Sequence, residues 1–258
     1  MTTISFQNVW KEYDGRVVLE KLSLDIAPHA FVALVGPSGC GKTTFLRMLL
    51  SEETPTRGRI LVDGKELPRE PTVDRGVVFQ RYSVFPHLTV LENVVLGKEF
   101  AGSKFFGALF GEARRKVVEE ALALLEEVGL SASLTKYPAQ LSGGMQQRLA
   151  LAQALITRPK ILLLDEPFGA LDPGIRADIH ELMLRLWRET QMTVIMVTHD
   201  LSEAFRLGTR VLAFERKENS LLEPERFGAT ITRDLDVWPP KHAPWNVSAP
   251  RKTPKKSS

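Results

Sequence analysis

Short apolar runs alternate with long helical patterns along this chain. The run Phe31–Val35 ends at Gly36 and is followed by helix-spaced apolar positions over 42–50, which predicts strand, glycine turn, helix. Further apolar runs at 59–62, 77–79, 161–164, Thr193–Val197 and 211–214 read as strands. Strands apolar on both faces are buried on both, so the pattern predicts an α/β fold with a mostly parallel sheet between helices. Between the runs at 77–79 and 161–164 the pattern is helical only. Val117, Ala121, Leu124, Leu125 and Val128 share one face of a helix over 112–128 that stops at Gly129, and a second helix spans 143–157, before Pro159. The expected organisation is an α/β domain over 3–216 with an α-helical lobe inserted at about 83–158. Periodicity fades after 216. Residues 217–258 are expected to be a largely irregular extension with a basic tail, Trp238 and Trp245 patching the body locally.

Composition narrows the class without choosing a function. Apolar residues at 43%, charged at 25%, 18 glycines and 16 prolines over 258 residues are those of a folded globular protein, which excludes collagen-like and wholly disordered readings. The single cysteine, Cys40, can form neither an internal disulfide nor a multi-cysteine zinc site, which suits a reducing compartment. No run approaches the roughly 18 apolar residues of a membrane span, and the first residues lack the pattern of a secretion signal, so a non-spanning, unexported protein is expected. Four of the positive charges behind the net +3 are Arg251, Lys252, Lys255 and Lys256, so the remaining residues are near neutral. A basic tail on a neutral body is no nucleic-acid groove, and nucleic acid is not an expected partner.

Three motifs carry chemistry. Gly36-Pro37-Ser38-Gly39-Cys40-Gly41-Lys42-Thr43-Thr44 matches G-x-x-x-x-G-K-[ST] between a strand and a helix. Its glycines let backbone N–H groups curl around a phosphate, and the helix N-terminus adds a dipole favourable to the anion. Lys42 is placed for β- and γ-phosphates, and the Thr43 hydroxyl for Mg²⁺. The apolar run at 161–164 delivers Asp165 and Glu166 to the C-terminal edge of a parallel sheet, where ligands of such sheets bind. Asp165 would hold Mg²⁺ through water and Glu166 would orient or deprotonate the attacking water. Leu141-Ser142-Gly143-Gly144 opens a helix of the inserted lobe and offers a second anion site without a lysine, although a plain serine N-cap would read the same.

The order and spacing of these motifs resemble the nucleotide-binding subunit of ATP-binding cassette (ABC) transporters over about residues 3–214. The resemblance implies a P-loop NTPase fold with an antiparallel β edge, ATP and Mg²⁺ as ligands, and ATP hydrolysis. It further implies that Tyr13 stacks on adenine, that Gln80 reaches Mg²⁺ and the attacking water, and that His199 contacts the γ-phosphate. Asp172, in Gly169-Ala170-Leu171-Asp172, would face the ATP of a second copy together with Ser142, Gly143 and Gly144, because two such cassettes pair head to tail. Met145 stands where the family commonly has Gln. Implied partners are that second copy, integral-membrane permease subunits and, indirectly, a solute-binding protein, with this chain at the cytoplasmic face of the membrane. The stretch from Asp165 to Asp172 is similar to importers of nitrate, taurine and sulfonates. Phe85-Pro86-His87 replaces that group's Leu-Pro-Trp, and 99–111 is longer than its norm. The resemblance therefore also admits a guanidine- or urea-like cargo. A soluble, non-transport cassette regulator is the alternative. Phe85 with the aromatic cluster Phe105 to Phe110 is expected either to pack within the lobe or to receive a permease helix.

Overall fold

The computed structural model describes residues 2–80, 84–102, 111–216 and 227–237. The cluster at 105–110, Trp238, Trp245 and the basic tail lie outside the described residues. In chain order the elements are β1 (Ile4–Tyr13), β2 (Arg16–Ile26), β3 (Phe31–Val35), α1 (Lys42–Leu49), β4 (Arg57–Val62), β5 (Lys65–Glu66) and β6 (Arg75–Val78). After these come α2 (Val90–Gly102), α3 (Gly111–Glu127), α4 (Gly143–Leu155), β7 (Ile161–Asp165), α5 (Pro173–Thr190), β8 (Thr193–Val197), α6 (Leu201–Leu207), β9 (Arg210–Arg216) and β10 (Ala229–Asp236).

All strands join one sheet in the order β5-β4-β1-β2-β10-β9-β3-β8-β7-β6. From β9 to β6 every pairing is parallel, while β1, β2, β4 and β5 pair antiparallel. The expectation of a largely irregular segment after 216 fails at Ala229–Asp236. That stretch forms β10, antiparallel to β9 and in contact with β2, so the antiparallel pairing is not confined to an edge. The place of this strand comes from pairing with the preceding strand β9 and from one contact with the distant β2, neither of which its own half-polar periodicity registers.

Side-chain alternation splits the interior into two layers. Val32 and Leu34 of β3, Ile161 and Leu163 of β7, and Ile195 and Val197 of β8 pack with Phe45, Leu46, Met48 and Leu49 of α1. Phe31, Ala33, Leu162, Leu164, Val194 and Met196 point the other way and pack with α3, α4 and α5. Phe45 stacks on Phe6 of β1 at 4.5 Å and meets Phe214 of β9 edge-on at 5.6 Å, so the sheet wraps around α1. Among the described residues, no helix is long and apolar enough to cross a membrane.

Candidate functional site

Four adjacent parallel strands, β3, β8, β7 and β6, end on one edge of the sheet. The glycine loop follows β3, His199 follows β8, Asp165 and Glu166 close β7, and Gln80 follows β6. Parallel strands thus gather at one edge residues that are up to 163 positions apart in the chain.

The loop geometry requires its glycines at two points. A Cβ on Gly36 would lie 2.2 Å from the Phe214 carbonyl oxygen, and Gly41 caps α1 at φ 91°, in the left-handed region. The Lys42 ammonium, 6% exposed as a residue, turns back to donate to the carbonyls of Gly36 at 2.7 Å and Pro37 at 2.8 Å. The buried Cys40 places its Sγ 3.8 Å from the same ammonium. Pro37, Ser38, Gly39 and Cys40, with Arg16 and Arg216, line an open cleft of about 520 Å³. Tyr13, at the end of β1, sits beside the loop with its hydroxyl against Thr44 and donating to Glu53, and Lys11 lies 4.7 Å over its ring. Burial, aided by the Glu53 carboxylate, pushes the Tyr13 phenol up to about 12.

Thr43 Oγ1 donates to Asp165 Oδ2 at 3.3 Å, bringing the loop and the acid pair together. Burial pushes the Asp165 carboxyl above its ordinary range and the Glu166 carboxylate adds to this, outweighing the Thr43 donor and the Lys42 charge. A half-buried carboxylate short of positive charge, next to a hydroxyl, suits a hard cation. Among the described residues no group of three or more His, Cys, Asp or Glu is arranged to hold a metal. Thr43 and Asp165 are the oxygen donors that could take such a cation, and Mg²⁺ sites of this kind are completed by phosphates and water. Glu166 has φ 46°, a conformation costing a non-glycine residue roughly 1–2 kcal/mol. Its N–H is held by the Val197 carbonyl at 2.9 Å, and its Oε2 lies 3.4 Å from Nδ1 of the exposed His199. Gln80 is exposed at the same edge.

Ser142, Gly143 and Gly144 stand apart from this group. Ser142 is the N-cap of α4, its Oγ accepting from the Met145 N–H at 3.4 Å, and α4 packs into the layer opposite α1. Asp172 is the exposed, extended N-cap of α5 and makes no side-chain cap of its own. Two groups escaped the sequence reading. Asn93 fastens the loop at 85–89, and beneath the His199 loop the buried His180, Thr198 and Glu203 meet the partly exposed Arg176. Arg176 and His180 stand one helical turn apart, a spacing that could have flagged them.

A phosphate-binding glycine loop, an acid pair and a histidine on one edge of a parallel sheet define a P-loop nucleotide-binding protein. The chain belongs to the ABC transporter family, whose model matches residues 19–169. It is 43% identical over 213 residues to the aliphatic sulfonates import ATP-binding protein SsuB of Burkholderia ambifaria, covering 83% of this chain and 61% of that protein. It is 43% identical over 215 residues to the Fe(3+) ions import ATP-binding protein FbpC of Brucella abortus, covering 83% and 58%. The chain thus spans about three fifths of the length of these two relatives. Among solved structures, the dimeric bacterial ABC transporter cassette MJ0796 is 35% identical with a TM-score of 0.71, covering 91% of this chain and 98% of that one. A post-hydrolysis state of the same cassette, bound to ADP and Pi, is 33% identical with a TM-score of 0.70.

Proposed function

We propose that this chain is the ATP-hydrolysing subunit of a bacterial ABC importer, working as a head-to-tail pair beneath separate permease subunits at the cytoplasmic face of the membrane. The observation that carries the reading is the Thr43–Asp165 contact at 3.3 Å beside the Glu166–His199 contact at 3.4 Å. Together they bring the glycine loop, Asp165, Glu166 and His199 to one sheet edge, which supports reading them as phosphate loop, cation-binding acid, base and γ-phosphate ligand. The names of the sulfonate, Fe(3+) and sulfate/thiosulfate relatives, each of an import subunit, favour transport over a soluble regulator.

In this reading Tyr13 stacks on adenine by the ring face that Lys11 leaves open. The N–H groups of the loop between Gly36 and Thr44, Pro37 having none, surround the phosphates, and Lys42 exchanges its two carbonyl acceptors for phosphate oxygens. Thr43, Asp165 and Gln80 would hold Mg²⁺, which when bound neutralises charge developing on the phosphates. Glu166 takes a proton from the attacking water, and His199 steadies the γ-phosphate. Ser142, Gly143, Gly144 and Asp172 complete the site of the second copy. The chain is equally similar to relatives named for aliphatic sulfonates, Fe(3+) ions and sulfate/thiosulfate, and in this reading the partner subunits select the cargo.

The test is Glu166→Gln, which keeps size and removes the base. Turnover should fall about 10² to 10⁴-fold while ATP still binds and holds the pair together. Near-normal hydrolysis in that variant would remove Glu166 from the role.

A further inference from the structure

Beneath the His199 loop lies a buried polar cluster that no step above uses. Glu203 of α6 is 5% exposed, and both its carboxylate oxygens are engaged. Oε2 accepts from Thr198 Oγ1 at 2.8 Å, while Oε1 faces Arg176 Nε at 3.6 Å and His180 Nε2 at 3.7 Å. Arg176 reaches in two further directions. Its Nη2 donates to the Leu171 carbonyl at 3.0 Å, and its Nη1 lies 3.6 Å from Asp200 Oδ2. Thr198 and Asp200 flank His199 and are themselves joined, the Asp200 N–H donating to Thr198 Oγ1 at 3.0 Å. Leu171 immediately precedes Asp172. The His180 ring stands edge-on to Phe168 at 4.7 Å, two residues beyond Glu166. Two loops of the site, β7–α5 and β8–α6, therefore converge on one guanidinium–carboxylate pair.

Stability alone is a poor account of this cluster. Burying charged groups is costly, and an apolar packing of similar volume is often as stable or more so. The Arg176 guanidinium, hydrogen-bonded to the Leu171 carbonyl and ion-paired at 3.6 Å with Glu203 and Asp200, fixes positions instead. Burial by itself would raise the Glu203 carboxyl, yet the adjoining His180 imidazole and the Thr198 donor hold it below its ordinary range, so it stays charged for this task.

We propose that Arg176 and Glu203 are positioning residues that lock the loop carrying Asp172 to the loop carrying His199. Displacement of one loop then moves the other within the same chain. The inference rests on the reading of Asp172 and His199 as ATP contacts, the first in the partner's site and the second in the chain's own. The pair thus mechanically links the two sites of a dimer, so that seating ATP against Asp172 on one side aligns His199 on the other.

The experiment measures steady-state ATP hydrolysis and nucleotide affinity of the full chain carrying Glu203→Gln, Arg176→Gln or both. Each single change should lower kcat about tenfold with ATP affinity and KM little altered, and the double variant should be no worse than either single. Arg176 is partly exposed, so Arg176→Gln carries the test if Glu203→Gln does not fold. Unchanged kcat with a lowered melting temperature, or losses that multiply in the double variant, would return the cluster to plain packing of α5 on α6. His199→Ala, run alongside, tests the underlying reading separately. Undiminished turnover there overturns the role of His199, whereas lost turnover there with wild-type kinetics in Glu203→Gln and Arg176→Gln overturns only the link.

Discussion

The Asp165 carboxyl, half-buried beside Glu166, keeps its proton to higher pH than an ordinary aspartate. A carboxyl whose folded pKa is raised destabilises the fold once it ionises. The penalty is absent below the unfolded value of 3.8, builds as pH rises from there to the folded value, and is constant above it. Asp165→Asn should therefore raise the melting temperature of the nucleotide-free protein at neutral pH, with the gain vanishing near pH 4, while hydrolysis is lost. A melting temperature at pH 7 equal to or below that of the parent chain would contradict this. Tyr13 offers a second check at the same scale. Its phenol should titrate near 12 in an ultraviolet pH titration, and Glu53→Gln should bring it down. The residues that carry the candidate chemistry were legible because each sits in a short local motif. The Lys42 contacts with its own loop carbonyls were not, nor was the cluster around Glu203. Those depend on side chains from β8, α5 and α6 meeting in space, and no local pattern encodes such a meeting.

Among elements, the loop leading into α2 shows how one side chain holds a segment together. Asn93, fully buried, accepts from the Phe85 N–H at 2.7 Å and donates to the carbonyls of Phe85, Leu88 and Thr89 at 2.9–3.0 Å. Glu92 accepts from both the N–H and the hydroxyl of Thr89, a capping box at the start of α2. Asn93→Ala would strand several buried partners at once, at about 1–3 kcal/mol for each group left unsatisfied. A clear drop in melting temperature with ATP affinity retained is expected. An unchanged melting curve would show that the loop is held by other contacts. The strands β3, β6, β7, β8 and β9 were legible because burial on both faces writes continuous apolar runs. By contrast β1 and β2 are wetter and carry register shifts that break their alternation. Asp14-Gly15, with φ angles of 47° and 82°, makes the hairpin turn between them. β10 is half polar and exposed, and it gains its place from pairing with β9 and from the Arg210–Asp234 ion pair.

Across the whole molecule, the sheet separates two helix starts suited to anions. α1 with its glycine loop lies in one layer, and α4 with Ser142 packs into the other. On the proposed reading these are two half-sites, and a symmetric pair placed head to tail would complete both. Mixing two defective chains tests that arrangement without disturbing the fold. A Lys42→Ala chain keeps its Ser142 helix, and a Ser142→Arg chain keeps its glycine loop, so a mixed pair contains one intact composite site and one doubly broken site. Random pairing at equal amounts makes about half of all dimers mixed, which restores about a quarter of the parent number of sites. ATP-dependent dimerisation, followed by light scattering, should be absent from either variant alone and appear in the mixture. Turnover would return with it only if one site can fire without the other. If verified mixed dimers gain no ATP-dependent pairing, Ser142 does not act across the dimer, and the second anion-binding helix start reverts to a local N-cap.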